Sequence, residues 1–330
     1  MARKTKRFTK LIALLLSILT LSGCQFLGPV LEELDVSEWI PTSTQIETVE
    51  ITEIKQKETV DVSGETLQIH VLDVGQGSSM LLRSGEHSIL IDGGPRESSS
   101  FVVSYLNKQN VDYIDLMVAS HFHDDHINGL VGTLHTRPVE TVMLPPDSCK
   151  RDTRVCQSFF AIISEKGCET IVPTVGEIFD LGDIHMTIVS PASYGHSNHN
   201  NDSIGLRIDY FNTSLLVMGD LEEEEEIKAL NSGIDLDVDL FIANHHGSDT
   251  SNIQELLDQV TPELIVISVG SDNQYGHPSE DVLARFQDTG ATIYRTDTDG
   301  TLLFESDGHE ITQKQVNQQK EQRHGQRLLR

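Results

Sequence analysis

The sequence predicts an α/β domain in which two mixed β-sheets pack face to face with helices on the outside. Three observations predict it. About 250 residues in the middle of the 330-residue chain alternate short apolar runs with longer amphipathic stretches, a length that one such domain can fill. The first apolar runs follow one another through short glycine-containing turns, as neighbouring strands do. Further along, helical stretches fall between the runs, an order that places helices on the faces of mixed sheets.

Strands are expected, in chain order, at "TLQIHVLDV", "SSMLLRS", "HSILIDGG", "DLMVASH", "VETVMLP", "IHMTIVSP", "SIGLRIDY", "TSLLVMGD", "LDVDLFIANH", "LIVISVG", "ATIYRTD" and "GTLLFES". Each is a short run rich in branched or aromatic side chains and bounded by Gly, Pro, Ser or Asp. Helices are expected over Ser98–Asn107, Ile127–Thr136, Thr153–Glu165, Leu221–Asn231, Ile253–Gln259 and Ser279–Gln287. The acidic run that opens the fourth of these reads as a solvated face whose first-turn carboxylates favour the positive end of the helix dipole.

The two ends read differently from the middle. Residues 1–23 hold Arg3, Lys4, Lys6, Arg7 and Lys10, no acid, and an apolar stretch too short to span a bilayer. That is the pattern of a secretion signal. It ends in Leu21-Ser22-Gly23-Cys24, which resembles the lipobox of bacterial lipoproteins, so Cys24 is the expected lipidation site and the body faces outward on a membrane anchor. Residues 24–64 are acidic, Thr/Ser-rich and aperiodic, suiting a flexible tether, and residues 65–313 form the folded domain. Residues 314–330 make a polar tail.

Charge constrains the partner. The chain carries 24 basic and 51 acidic residues; removing the five basic residues of the signal leaves 19, a net of −32 with neutral histidines. Such a surface repels polyanions at long range, and residues 67–313 show no basic stripe, so long nucleic acid is disfavoured and a small anionic substrate needs a local positive charge. Of the cysteines beyond Cys24, namely Cys149, Cys156 and Cys168, an exported protein could pair two; the expectation is one disulfide stapling an inserted loop.

The chemistry concentrates at the ends of apolar runs. "DLMVAS" leads into His121-Phe122-His123-Asp124-Asp125-His126, three of the chain's 14 histidines within six positions. Placed on a loop after a strand, with a helix expected only from Ile127, His121 and His123 can converge on one ion while Asp125 and His126 face a second. Imidazole and carboxylate without thiolate is the donor set of a catalytic zinc, iron or manganese site. "SLLVMGD" ends in Asp220, "LFIANHHGS" in His245-His246, and His199 precedes another strand.

H-x-H-x-D-H, a downstream His, a Gly-Asp and a final His resemble the metallo-β-lactamase superfamily, an αββα sandwich with one or two metals between its sheets. "HVLDVGQGSSMLL", "SILIDGG", "SHFHDDHINGL", "NNDSIGLRIDY", "LLVMGDLE", "NHHGSDTS", "SVGSDNQYGHPSEDVL" and "IYRTDTDG" are similar to the soluble hydrolase domain of ComEC-type competence proteins, from about residue 67 to 300. Those proteins join the domain to a multi-helix membrane channel. No such channel is expected from these residues, so DNA uptake is not expected to carry over.

The resemblance implies two divalent ions, Zn²⁺ or Mn²⁺. His121, His123 and His199 would hold the first, with His196 and Asn201 as rivals to His199, because relatives often place another polar residue there. Asp125, His126 and one of His245 and His246 would hold the second, and His245 is favoured because it directly ends its strand. Asp220 would bridge the two. Asp125 and His277 are the expected catalytic residues, His277 in "YGHPSED" matching the Gly-His-Pro of the competence domain and donating to a phosphoryl or leaving-group oxygen, with Ser248 as a supporting hydroxyl. Asp73, in the turn with Gln76 and Gly77, and Asp92 are expected to support the ligands from behind. The expected activity is hydrolysis of a small phosphodiester or oligonucleotide by metal-activated hydroxide. The alternatives are a lactam, lactone or thioester hydrolase on the same site and a non-catalytic surface lipoprotein. No protein partner is identifiable.

Overall fold

Alternation of side chains along the strands decides the layering. The structure, a computed structural model, describes residues 64–149 and 152–315. The expected signal, the lipidation site at Cys24, the tether up to residue 63 and the tail from residue 316 lie outside the described residues.

The first sheet starts with antiparallel strands β1 (Leu67–Val71), β2 (Met80–Ser84) and β3 (His87–Ile91). It continues in parallel through β4 (Ile114–Val118), β5 (Val139–Met143) and β6 (Glu169–Ile171), reached in turn by α1 (Ser99–Lys108), α2 (Asp124–Thr136) and α3 (Arg154–Lys166). The second sheet starts with antiparallel β7 (Ile178–Leu181), β8 (Ile184–Ser190), β9 (Gly205–Tyr210) and β10 (Thr213–Val217). It runs on in parallel through β11 (Leu240–Ile242), β12 (Leu264–Ile267) and β13 (Thr292–Arg295), with α4 (Glu223–Leu230), α5 (Gln254–Val260) and α6 (Glu280–Asp288) between them. The one-turn α7 (Thr296–Asp299) hands the chain back to β14 (Leu302–Ser306) and β15 (Ile311–Lys314) on the first sheet. Strand orders are β15-β14-β1-β2-β3-β4-β5-β6 and β13-β12-β11-β10-β9-β8-β7.

Three apolar cores separate four layers. Leu67, Ile69, Val71, Leu116 and Val118 of one sheet meet Leu206, Ile208, Leu215 and Val266 of the other. The opposite faces, such as Leu81, Leu90 and Met117, pack on α1, α2 and α3. Leu216, Phe241 and Ile265 pack under α5 and α6. The fold is therefore the αββα sandwich of two mixed sheets with helices outside. Each face of a central strand is buried, so these strands read as near-continuous apolar runs.

The sequence reading missed β6, β7 and β15. All three are sheet edges of three or four residues, covered on one face at most (Phe179, Leu181 and Ile311 touch the core), so the apolar period is too short to mark them. Because β15 runs to Lys314, the folded domain extends just past the expected boundary at 313. Helix α2 begins at Asp124 rather than Ile127: two acids in a first turn stabilise the positive end of the dipole, so Asp125 and His126 belong to the helix and not to a loop. Cys156 and Cys168 are not joined in a disulfide. Both pack against the core under α3 instead, where a thiol serves as a small apolar group.

One buried group gives the fold a pH dependence of its own. His70 on β1 faces α1, where its Nδ1 lies 2.9 Å from the Tyr105 hydroxyl. Burial, helped by Arg83, lowers its pKa from the usual 6.5 to about 4. A histidine depressed on folding contributes stability that is complete above pH 6.5 and is lost as pH falls towards 4, on the order of 3 kcal/mol in all. In urea titrations with chelator at pH 7.5 and 4.5, His70→Leu is expected to lose less stability on acidification than the parent. Equal losses would show that another group sets the slope.

Candidate metal centre

Parallel strands of both sheets end on the same side of the sandwich, and the ligand-type side chains cluster there. From β4 the chain runs through Ser120 and His121 to His123, the N-cap of α2, whose first turn supplies Asp125 and His126. Beyond β10 comes Asp220; beyond β11 come His245 and His246.

Two glycine contacts bring the supporting turns up against α2. A Cβ on Gly129 would collide with the Gly93 carbonyl oxygen, and Gly93 N–H donates to His126 O at 2.6 Å. A Cβ on Gly77, at φ +153, would lie 2.5 Å from Asp125 O, and the next amide, Ser78 N–H, donates to that oxygen. Only glycine admits either approach.

The donors form two groups that share one carboxylate. In the first, Asp220 Oδ1 lies 3.2 Å from His126 Nε2 and 3.5 Å from His246 Nε2, while Asp125 Oδ2 lies 3.5 Å from His246 Nε2 and 4.0 Å from His126 Nε2. Donors about 2.1 Å from a tetrahedral ion stand about 3.4 Å apart, so this spacing fits one. In the second, His121 Nε2 lies 2.8 Å from His123 Nδ1 and 3.9 Å from Asp220 Oδ2. The two oxygens of Asp220 thus face different groups.

The imidazoles are locked from behind. His126 Nδ1–H donates to Asp92 Oδ2 at 2.7 Å, and His246 Nδ1–H donates to Ser268 O at 2.8 Å. Each hydrogen bond holds a proton on Nδ1, so Nε2 is the atom turned to the cluster and the one a metal would take once its own proton leaves. Both Nε2 atoms are buried without a hydrogen-bond partner. A buried orphan costs stability unless something binds it, and a divalent ion would satisfy both. Asp92 Oδ1 also accepts Ser120 N–H at 2.9 Å, so this carboxylate ties the His126 imidazole to the strand end.

Protons on histidines balance the carboxylates. Burial draws His121 far below the usual histidine range, reinforced by His126. Burial opposes charge on His126 and His246 as well, but Asp220, joined by Asp92 and Asp125 at His126, outweighs it and holds both above the usual value. The same attraction, from His126 and His246, holds Asp125 and Asp220 below the ordinary carboxylate range in spite of burial. Cations binding here must displace protons, so affinity rises with pH.

Other expected residues lie differently. His246, not the favoured His245, joins Asp125 and His126, because both residues adopt left-handed backbone, φ 48 and 56, and the turn aims the second imidazole inward. His199 is not in either group; it is 38 % exposed with Nδ1 3.5 Å from Asp202. Its rivals stand apart too. His196 lies between Asp202 and Glu225, and Asn201 Oδ1 accepts Glu222 N–H. Asp73 is exposed and caps its own turn through Gly75 N–H, touching no ligand. Gln76 instead ties that turn to Gly270 N–H. Ser248 contacts Thr250, whose hydroxyl faces His245 Nδ1 at 3.3 Å. His277 stacks on Tyr275, its ring centroid 5.4 Å from that of His245. Sequence reasoning missed Ser120, Ser203 and Glu222, whose roles depend on tertiary partners alone: the Ser203 hydroxyl lies 3.3 Å from His121 Nδ1 and accepts Asp220 N–H.

Comparison with known proteins matches this arrangement to the family described as Metallo-beta-lactamase superfamily over residues 72–270. The chain is similar to ComE operon protein 3 of Bacillus subtilis, 26 % identical over 257 residues that cover 72 % of this chain and 33 % of that protein. It is similar to competence protein ComA of Neisseria gonorrhoeae at 28 % over 240 residues, 72 % of this chain and 32 % of the other. The chain therefore spans about a third of the length of these relatives. Among solved structures, the metallo-beta-lactamase fold protein YhfI of Bacillus subtilis aligns with TM-score 0.47 and 13 % identity, covering 73 % of this chain and 100 % of that one. A diphosphatase of the PhnP family aligns with TM-score 0.44 and 15 % identity, covering 73 % and 98 %.

Proposed function

The chain belongs to the metallo-beta-lactamase superfamily, and from that premise we propose that it is a dinuclear metal-dependent phosphodiesterase held outside the cell by a lipid on Cys24. Asp220, with its two oxygens turned to separate donor groups, carries this reading. Asp125, His126, Asp220 and His246 would hold one ion, and His121, His123 and Asp220 the other. When bound, a zinc or manganese pair lowers the pKa of water and neutralises charge that develops on a phosphoryl oxygen.

The chain's own groups do the rest. His277 is held at a pKa of about 4 by burial, with His245 and His246 adding to the effect. It is neutral at pH 7 and can donate one N–H to a phosphoryl or leaving-group oxygen. Beside Asp125 opens a groove of about 1210 Å³ that includes Arg96 and Arg154. Neither arginine forms an ion pair among the described residues. Two guanidiniums in the groove that Asp125 also lines support an anionic substrate. Glu97, Asp124 and Asp272 share the groove, so its charge is mixed. That favours small phosphodiesters or oligonucleotide ends over long nucleic acid. No described helix is long and apolar enough to cross a membrane, and the membrane association proposed here rests on the residues around Cys24.

A direct test assays the signal-free protein with Mn²⁺ or Zn²⁺ against a bis-aryl phosphodiester and a chromogenic lactam. The expected result is phosphodiester turnover that chelation abolishes and metal restores. Turnover of the lactam alone would replace the substrate class, and two bound ions with no turnover of either would favour a binding lipoprotein.

A further inference from the structure

The two adjacent histidines of the β11 turn face the same carboxylate from different sides. His246 Nε2 stands 3.5 Å from Asp220 Oδ1, and His245 Nε2 stands 3.8 Å from Asp220 Oδ2, the oxygen that also faces His121 at 3.9 Å. Splaying consecutive side chains around one carboxylate requires unusual backbone. His245 at φ 48, His246 at φ 56 and Gly247 at φ 80 are three successive left-handed residues, two of them carrying a Cβ. A non-glycine residue is strained there, and such strain persists where the surrounding structure holds it in place.

His245 also has the support that a ligand imidazole needs. Its Nδ1 lies 3.3 Å from the Thr250 hydroxyl and 3.5 Å from Glu222 Oε1, so acceptors wait on the side away from Asp220. Glu222 is itself held, its Oε1 accepting Asn200 Nδ2–H at 2.9 Å and its Oε2 accepting Asn198 Nδ2–H at 2.8 Å. A carboxylate behind an imidazole that faces a shared carboxylate is the arrangement found behind metal-binding histidines.

Resting on the two-metal reading above, we propose that His245 supplies the third imidazole of the His121/His123 site in place of His199, with Glu222 as the carboxylate that positions it. The adjacent histidines then serve one ion each. His245 lies outside the tight group formed by His121, His123 and Asp220, so a swing of its ring towards Asp220 Oδ2 accompanies binding.

Metal content separates this assignment from its rivals without relying on turnover. Loaded with Mn²⁺ and desalted, the parent is expected to hold two ions. His199→Ala keeps both at parental affinity. His245→Ala keeps one and binds the second at least ~10-fold more weakly, and Glu222→Gln keeps both with one weakened ~10- to 100-fold. Loss of an ion from His199→Ala, or parental affinity for two ions in His245→Ala, overturns the proposal; parental affinity in Glu222→Gln removes that residue from it. Anomalous diffraction from Mn²⁺-loaded parent crystals needs no variant to fold, and a peak within ~2.3 Å of His245 Nε2 is expected. A peak bound by His199 instead refutes it. A parent that holds no ion at all defeats the two-metal reading itself, a different and recognisable failure.

Discussion

Asp220→Ala is expected to lower kcat/KM for a phosphodiester on the order of 10³-fold or more, the scale lost when a central electrostatic element of a site is removed. The residue is buried at the end of β10, with its amide held by the Ser203 hydroxyl, and four imidazoles stand within 3.9 Å of its two oxygens. Alanine removes a donor from both groups at once, so both ions are weakened together. The metal-free fold should tolerate the change better than the site does: with the carboxylate gone, His126 and His246 can shed the protons that it holds on them. The expected signature is a melting temperature that no longer rises with added Mn²⁺ or Zn²⁺, because stabilisation by a ligand scales with its affinity for the native state. Parental turnover in this variant would remove Asp220 from the centre.

The sequence was most legible where chemistry coincides with an apolar run. His121, His123, Asp125, His126 and Asp220 each end or closely follow such a run, and the structure brings them together because parallel strands of both sheets finish on one side. It was least legible where a short-range choice depends on backbone angle. Ending a strand favoured His245, but left-handed dihedrals through residues 245–247 send His246 to Asp125 instead, and a one-letter pattern does not encode φ. His199 precedes its strand as the other candidates follow theirs, yet its loop follows the buried Asp202, which also receives the Gly195 and His196 amides. The edge strands escaped for another reason: they are only three or four residues long and only partly covered, Phe179, Leu181 and Ile311 touching the core from one face, so the apolar period is too short to be read. Asp92 was legible as a supporting residue, but the bond it makes could be seen only once β3 and α2 were side by side.

Asp92→Asn tests that bond through a tautomer. At present Ser120 N–H donates to Oδ1, while the Ser120 hydroxyl and His126 Nδ1–H both donate to Oδ2. Asparagine tolerates the left-handed backbone here, φ 54, about as well as aspartate, so no new strain enters. One of its two terminal atoms must now be an NH₂. If the oxygen stays on Ser120 N–H, the amide points at His126 Nδ1, which can accept only by moving its proton to Nε2. A protonated Nε2 cannot bind a metal, and it faces Asp220 Oδ1 at 3.2 Å, where it would form a hydrogen bond instead. If the amide flips, two N–H donors meet in a buried site at Ser120, which costs about 1–3 kcal/mol. Either route weakens metal binding, by an expected 10- to 100-fold. Loss of affinity rather than of a ligand predicts rescue: saturating Mn²⁺ should restore most of the turnover of Asp92→Asn and none of that of Asp220→Ala. Nitrogen NMR of the metal-free protein, at a pH high enough to leave His126 neutral, should place its one proton on Nδ1 in the parent and on Nε2 in the variant. An unshifted proton with unchanged metal affinity would show that Asp92 holds only the loop.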